Sequence, residues 1–365
     1  VNVIVSCTLF VLAIYSVYFR LAPNECIEFP EDPLYSSVKG VRGPVPPKDG
    51  VAVPSYPELG VSTVMPEYRL IHVQPRWYEH VESGETTGTG SSEEASSDFD
   101  DVDVWTGIPV LFVPGNRGSY TQTKSLAAQA VAEFRSLAGG VRLNFFAIDT
   151  YEVATALSGD AVWGQAVFMN QCIERIFRGY EGAGIRLESI MVVAHSMGGI
   201  VARAAQMLWN YRPGSVHTMV TLNTPHRSHP FPCDSSLVQM YHALNQFYGA
   251  EAIEEGRGMA PTSLLIYIAG GARDSTVPSH LTILRGIVPE IYHLNIMTTS
   301  IQGVWCQTDH LSILWCGQFV AVLVRSLVDM HDQSGTPLTI SERRAIAWNH
   351  LGNVRGTGGI LRVPS

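Results

Sequence analysis

The rhythm of apolar and polar positions changes several times along the chain. Val1–Tyr18 is almost wholly apolar, broken only by Asn2, Ser6, Thr8 and Ser16, with Arg20 closing it. A run of ~18 apolar residues is long enough to cross a bilayer as a helix. It exceeds the ~7–15 residues of a secretory signal's apolar region, and Phe19-Arg20-Leu21 offers no small-residue cleavage site, so residues 1–20 are expected to be an uncleaved transmembrane signal anchor. From Ala22 to Pro66 prolines and glycines recur, as in Gly43-Pro44-Val45-Pro46-Pro47, which suits an extended segment over 21–66. Glu67–Val73 alternates as an edge strand does. Glu82–Asp103 is dominated by Ser, Thr, Gly, Asp and Glu; such a stretch cannot bury apolar area and is expected to be a disordered acidic insertion, 82–103.

Beyond this insertion two periodicities take turns. Short apolar runs at Ile108–Val113, Phe145–Ile148, Ile190–Ala194, His217–Leu222, Leu264–Ala269 and Ile291–Leu294 read as buried strands. Between them Leu126, Ala130, Phe134 and Leu137 share one helical face, and Ala166, Met169, Ile173, Ile176, Phe177 and Tyr180 another. Alternation of this kind predicts a mostly parallel sheet covered by helices on both faces, an α/β domain over 67–331. The interval 226–261 breaks the pattern and holds an amphipathic patch, Leu237–Phe247; a long insertion here is expected to be a cap or lid that grips an acyl chain. Leu311–Val328 is apolar but interrupted by Gln318 and Arg325, which reads as a buried domain helix. Residues 332–365 read as a C-terminal tail whose role is not legible, with a helix start at Ser341–Ile346.

Composition narrows the classes. The chain has 365 residues, 46% of them hydrophobic, enough for a sizeable core. The net charge of −9, with no Lys/Arg cluster, excludes a nucleic-acid surface. Six cysteines, Cys7, Cys26, Cys172, Cys233, Cys306 and Cys316, are scattered without a CxxC, against a zinc site, and no disulfide pairing can be assigned.

The chemistry centres on Ser189–Arg203, where an apolar run stops at Ala194-His195-Ser196-Met197-Gly198 and a small-residue helix pattern follows. This is the strand–turn–helix of a nucleophile elbow, in which residues two away from the serine must be small. It predicts an α/β-hydrolase fold with Ser196 as nucleophile. A hydroxyl needs a base within hydrogen-bond reach and a carboxylate to orient that base, and in this fold they follow in the order Ser, Asp, His. Asp274, on the loop after Leu264–Ala269, and His310, after the last strand, fit that order. Asp309 adjoins His310 and is a lesser candidate for the orienting acid; His195 is expected to point away from the serine; His226 stands before the acid in the chain and is expected to line the pocket or cap a turn. Oxyanion donors are expected from the backbone N–H of Met197 and from Asn116 in the Pro114-Gly115-Asn116 loop, with Gly115 at the substrate. Such a mechanism needs no metal and no organic cofactor.

Four pieces resemble the GPI inositol-deacylase family: Thr106–Tyr120, Val193–Arg203, Thr221–His226 and Asp309–Cys316. The resemblance covers Glu67 to about Val328, outside the acidic insertion, with Ala194 where the family has glycine. It implies an enzyme of the endoplasmic reticulum membrane, its catalytic domain lumenal, that removes the fatty acyl chain from the inositol of GPI-anchor lipids. Alternatives are a lipase or lysophospholipase acting on glycerolipids, or a membrane-tethered lipid-binding protein without activity.

Overall fold

The computed structural model describes residues 34–37, 68–74, 104–136, 141–229, 234–259 and 262–352. The expected anchor at 1–20, the acidic insertion at 82–103 and Cys7, Cys26 and Cys233 lie outside these residues. Among the described residues no helix is long and apolar enough to cross a membrane.

Eight strands form one sheet: β1 (Leu34–Ser37), β2 (Arg69–Gln74), β3 (Ile108–Val113), β4 (Leu143–Asp149), β5 (Ile190–His195), β6 (Val216–Leu222), β7 (Leu264–Ala269) and β8 (His293–Met297). Their order is β1-β2-β4-β3-β5-β6-β7-β8. β1 pairs antiparallel with β2 and β2 with β4; every later pairing is parallel. The helices are α1 (Lys124–Ser136), α2 (Gly159–Gly182), α3 (Met197–Ala205), α4 (Ser235–Phe247), α5 (Ala250–Glu254), α6 (Gly317–Asp329) and α7 (Ile340–Ala347).

Strand period two sorts the core into two layers. Leu111, Val113, Phe146, Ile148, Val192 and Ala194 face the helices α2, α3 and α4. Their neighbours Val110, Phe112, Phe145, Ala147 and Val193 face α1 and α6. Both faces are covered, so β3, β4, β5, β6 and β7 are buried along their whole length and are mostly apolar. This is an α/β-hydrolase fold with a mostly parallel sheet, as the alternation of periods predicts.

Some expectations change. β2, expected from the alternation of Glu67–Val73 to be an edge strand, is paired on both sides, by β1 and β4. The run Ile291–Leu294 does not open the last strand: Glu290–Tyr292 forms a 3₁₀ turn, and β8 occupies His293–Met297, an edge strand whose Asn295 and Met297 are exposed. The interval 226–261 holds α4 and α5, in the connection between β6 and β7. Leu237, Met240, Tyr241 and Leu244, the stripe that suggested an acyl grip, are buried in the layer with α2 and α3. Burying Leu237, Met240 and Leu244 contributes on the order of 5–9 kcal/mol, so this face is held against α2 and α3.

Residues after α6 also enter the core: Ala347 and Leu351 pack with α6. Arg343, 3% exposed, donates to the carbonyls of Leu338 and Thr262, the Thr218 hydroxyl and the His217 carbonyl. The pairing of β5 with β6 skips from Ile190↔Val216 to Met191↔Thr218, a bulge at His217, and Arg343 takes the carbonyl of that extra residue. Burial among neutral acceptors pushes its guanidinium down to about 10.

Candidate active site

β5 is buried from end to end, and Ser196, which follows it, has φ 52° and ψ −128°. A non-glycine residue at positive φ costs ~1–3 kcal/mol and persists only where its surroundings enforce it. They do so through the backbone: the Ser196 N–H donates to the Leu222 carbonyl at 2.9 Å, and the Ser196 carbonyl accepts from Gly199 N–H at 3.0 Å. Close approach of α3 explains the small residues on the far side of the turn. A Cβ on Gly198 would run into the carbonyls of Val113 and Pro114, and one on Gly199 into the Thr224 side chain. Ala194 is fully buried in register with Val113 and Thr221, and its methyl belongs to the core layer under α3. An alanine therefore fits at this position of the turn.

Three side chains from different loops meet at this turn. His310 Nε2 lies 2.9 Å from Ser196 Oγ, and His310 Nδ1 lies 2.9 Å from Asp274 Oδ2. The carboxylate can only accept, so Nδ1 carries the proton and Nε2 presents its lone pair to the serine hydroxyl. Asp274 is itself fixed: its Oδ1 accepts from the N–H groups of Thr276 at 2.9 Å and Val277 at 2.8 Å, leaving Oδ2 for the imidazole. Asp309 is not the orienting acid. Its carboxylate caps the turn after His310, accepting from Leu311 N–H at 3.0 Å and Ser312 N–H at 2.8 Å.

Two residues hold the histidine loop from beneath. His195 Nε2–H donates to the His310 carbonyl at 2.7 Å, with the two rings 4.8 Å apart. Burial, with His310 alongside, lowers His195 to about 3, so it is a neutral strut. Asn223, fully buried at φ 49°, donates from Nδ2 to the Asp309 carbonyl at 3.2 Å and accepts from Gly270 N–H at 2.7 Å. It thereby joins the loop of Asp274 to the loop of His310. Sequence reasoning missed what His195 holds, and missed Asn223; the signal for Asn223 is an asparagine just past a strand end, where αL backbone is common.

The Pro114–Asn116 loop lies against the nucleophile: a Cβ on Gly115 would come within 2.6 Å of Ser196 Cβ and 2.8 Å of the His195 carbonyl. Asn116 Oδ1 accepts from Ala156 N–H at 2.9 Å, and Gly118 N–H donates to the Gly115 carbonyl at 3.0 Å, fixing the loop. Met197 opens α3, so its N–H has no acceptor within the helix. His226 is not brought to this cluster. It is 1% exposed, with Nε2 at 2.7 Å from the Thr221 hydroxyl and its carbonyl accepting from Arg203 at 3.2 Å. Arg203 is fully buried and requires carbonyl partners, which ties His226 into the core instead of the pocket wall.

Around the site the loops expose large apolar side chains: Tyr151 and Leu157 after β4, Trp305 and Leu311 on either side of His310. Two cavities, of about 720 and 500 Å³, lie between α4 and residues 285–290 and beneath the amino ends of β3 and β5; neither is lined by Ser196, His310 or Asp274.

A family model described as the PGAP1-like alpha/beta domain matches residues 104–330. The GPI inositol-deacylase of Aspergillus fumigatus is 38% identical over 245 residues, covering 62% of this chain and 21% of that protein. That of Eremothecium gossypii is 33% identical over 309 residues, covering 78% and 29%. The chain thus aligns with less than a third of either relative's length. Among solved structures, Aspergillus fumigatus lipase B is similar at TM-score 0.40 and 14% identity, over 66% of this chain and 60% of that one.

Proposed function

The chain belongs to the PGAP1-like alpha/beta domain family, and from that premise we propose that it is a serine ester hydrolase that removes the acyl chain from the inositol of GPI anchors. The observation that carries this reading is the continuous Ser196–His310–Asp274 hydrogen-bond chain at a strained turn. Ser196 Oγ attacks the ester carbonyl as His310 Nε2 takes its proton, and Asp274 holds the imidazole in the required tautomer and steadies the imidazolium. The N–H groups of Met197 and Asn116 receive the oxyanion of the tetrahedral intermediate. Collapse of that intermediate breaks the bond to the inositol oxygen, to which His310 returns the proton. Water, activated by the same histidine, then clears the acyl-enzyme.

The exposed Tyr151 and Leu157, on the loop after β4, and Trp305 and Leu311, on the loop that carries His310, support a lipid-borne substrate, since these loops offer apolar surface. The reading extends to an endoplasmic-reticulum membrane protein with its catalytic domain in the lumen; the apolar run Val1–Tyr18 supports it.

A fluorophosphonate probe, which reacts only with an activated serine, should label the wild type and not Ser196→Ala. In cells lacking inositol deacylation, the wild type should restore release of anchored proteins by phosphatidylinositol-specific phospholipase C, which needs the inositol 2-hydroxyl unblocked. Release restored by Ser196→Ala would refute the mechanism. Probe labelling without restored release would refute the substrate.

A further inference from the structure

Cys306 and Cys316 lie on either side of His310, and their sulfurs are 3.5 Å apart. Each is anchored on a separate part of the fold. The Cys306 carbonyl accepts from the Thr298 hydroxyl at 2.8 Å, just past β8, whereas Cys316 is the residue before α6 and its N–H donates to the Ser312 carbonyl at 2.8 Å. The two thiols therefore face each other across the neck of the loop that carries the histidine. Cys306 is half-buried and Cys316 buried. The other described cysteine, Cys172, is enclosed in the core layer of α2.

We propose that Cys306 and Cys316 form a disulfide that clamps the His310 loop. The sulfurs need to close from 3.5 Å to about 2.05 Å, which side-chain rotation can supply. The oxidant is a disulfide of the glutathione class. The Cys306 thiolate, on the accessible side, attacks one sulfur of oxidised glutathione; the S–S bond breaks, and one glutathione leaves as thiolate and takes up a proton. The Cys316 thiolate then attacks the Cys306 sulfur of the mixed disulfide, expelling the second glutathione. Two protein thiols are oxidised by two electrons and one glutathione disulfide is reduced to two thiols. The ring joins the end of β8 to the start of α6 and restricts the segment that holds Nε2 against Ser196.

The test uses the full chain, equilibrated with oxidised or reduced glutathione under native conditions, alkylated and digested with trypsin. Both cysteines lie on one tryptic peptide, residues 286–325. After oxidation it should carry no alkyl groups and be two hydrogens lighter than the unmodified reduced peptide; after reduction it should carry two alkyl groups. The oxidised chain should unfold about 5–10 °C above the reduced one, given a loop of this size. Cys306→Ser should abolish that difference while keeping the reduced wild-type midpoint within about 2 °C. Full alkylation after oxidation, pairing of either cysteine with a different one, or equal midpoints for the two forms would overturn the proposal. The bond is measured independently of the ester hydrolysis proposed above. A bonded peptide in a chain without esterase activity would uphold the clamp and refute only that activity.

Discussion

Gly115 offers the sharpest test of how the Pro114–Asn116 loop serves the nucleophile. Its φ is outside the left-handed region, so Gly115→Ala adds a methyl group without straining the backbone, and the effect is purely steric. That methyl would sit 2.6 Å from Ser196 Cβ and 2.8 Å from the His195 carbonyl, while carbon–carbon contact is comfortable at about 3.5–4.0 Å. Either Ser196 or the loop must therefore move by about 1 Å. Neither the elbow, tied to β6 and α3 by backbone bonds, nor the loop, tied through Asn116 to residue 156, can yield freely. A displacement of that size at reacting atoms costs ~10²-fold in rate, and overpacking costs ~1–3 kcal/mol of stability. We expect kcat/KM for a p-nitrophenyl ester to fall about 100-fold while the melting transition stays cooperative. Gly182→Ala is the control: it ends α2 in open space, and the change should leave activity unaltered. Activity of Gly115→Ala within threefold of wild type would show that the loop is not pressed against the nucleophile and would remove it from the oxyanion site.

Asn223→Asp keeps the acceptor for Gly270 N–H but sets an oxygen against the Asp309 carbonyl. A buried acceptor left unmatched costs about 1–3 kcal/mol, so stability in urea should fall by about that amount and kcat by at least ~10-fold, with KM nearly unchanged; an unaltered kcat would show that the link does not position His310. Acid should destabilise the fold well above the carboxylate range. Burial lowers His72 and His331 to about 4 and His195 to about 3, and holds His217 and His226 well below the ordinary 6.5. The unfolded chain binds these protons from about pH 6.5 downward and the folded chain does not, so stability is full above that value and declines as pH falls, by up to ~1.4 kcal/mol per pH unit for each histidine. Melting temperature measured from pH 7.5 to 5 should drop steeply; a flat profile would contradict the neutral burial of these rings.

The order Ser196, Asp274, His310 was legible because each follows a strand, and strand ends in a parallel sheet gather at one edge. Apolar runs marked β3, β5 and β7, where burial on both faces leaves almost no polar position to blur them, whereas β6 is buried throughout although His217, Thr218 and Thr221 interrupt its apolar residues. What sequence could not yield was contact between distant positions. The bond from His195 to the His310 carbonyl spans 115 residues and that from Asn223 to Asp309 spans 86, and neither leaves a periodicity. Helix α4 shows a different blind spot: a stripe at 237, 240, 241 and 244 announces an apolar face but does not say whether core or ligand will meet it. His226 was misplaced because a histidine at a strand end resembles a site residue until the buried Arg203 claims its carbonyl.

The matched domain ends at residue 330, yet Arg343 reaches back to the bulge carbonyl of His217 and to Thr262. The unit that folds is therefore longer than the unit that holds the triad. In a mutational screen scored by activity, loss of Arg343 would read as an inactivating lesion although no atom near Ser196 had changed. Inheritance of function here depends on a cation whose work is to satisfy main-chain oxygens, and a map of intolerance to substitution should show a peak at position 343 beside those at 196, 274 and 310.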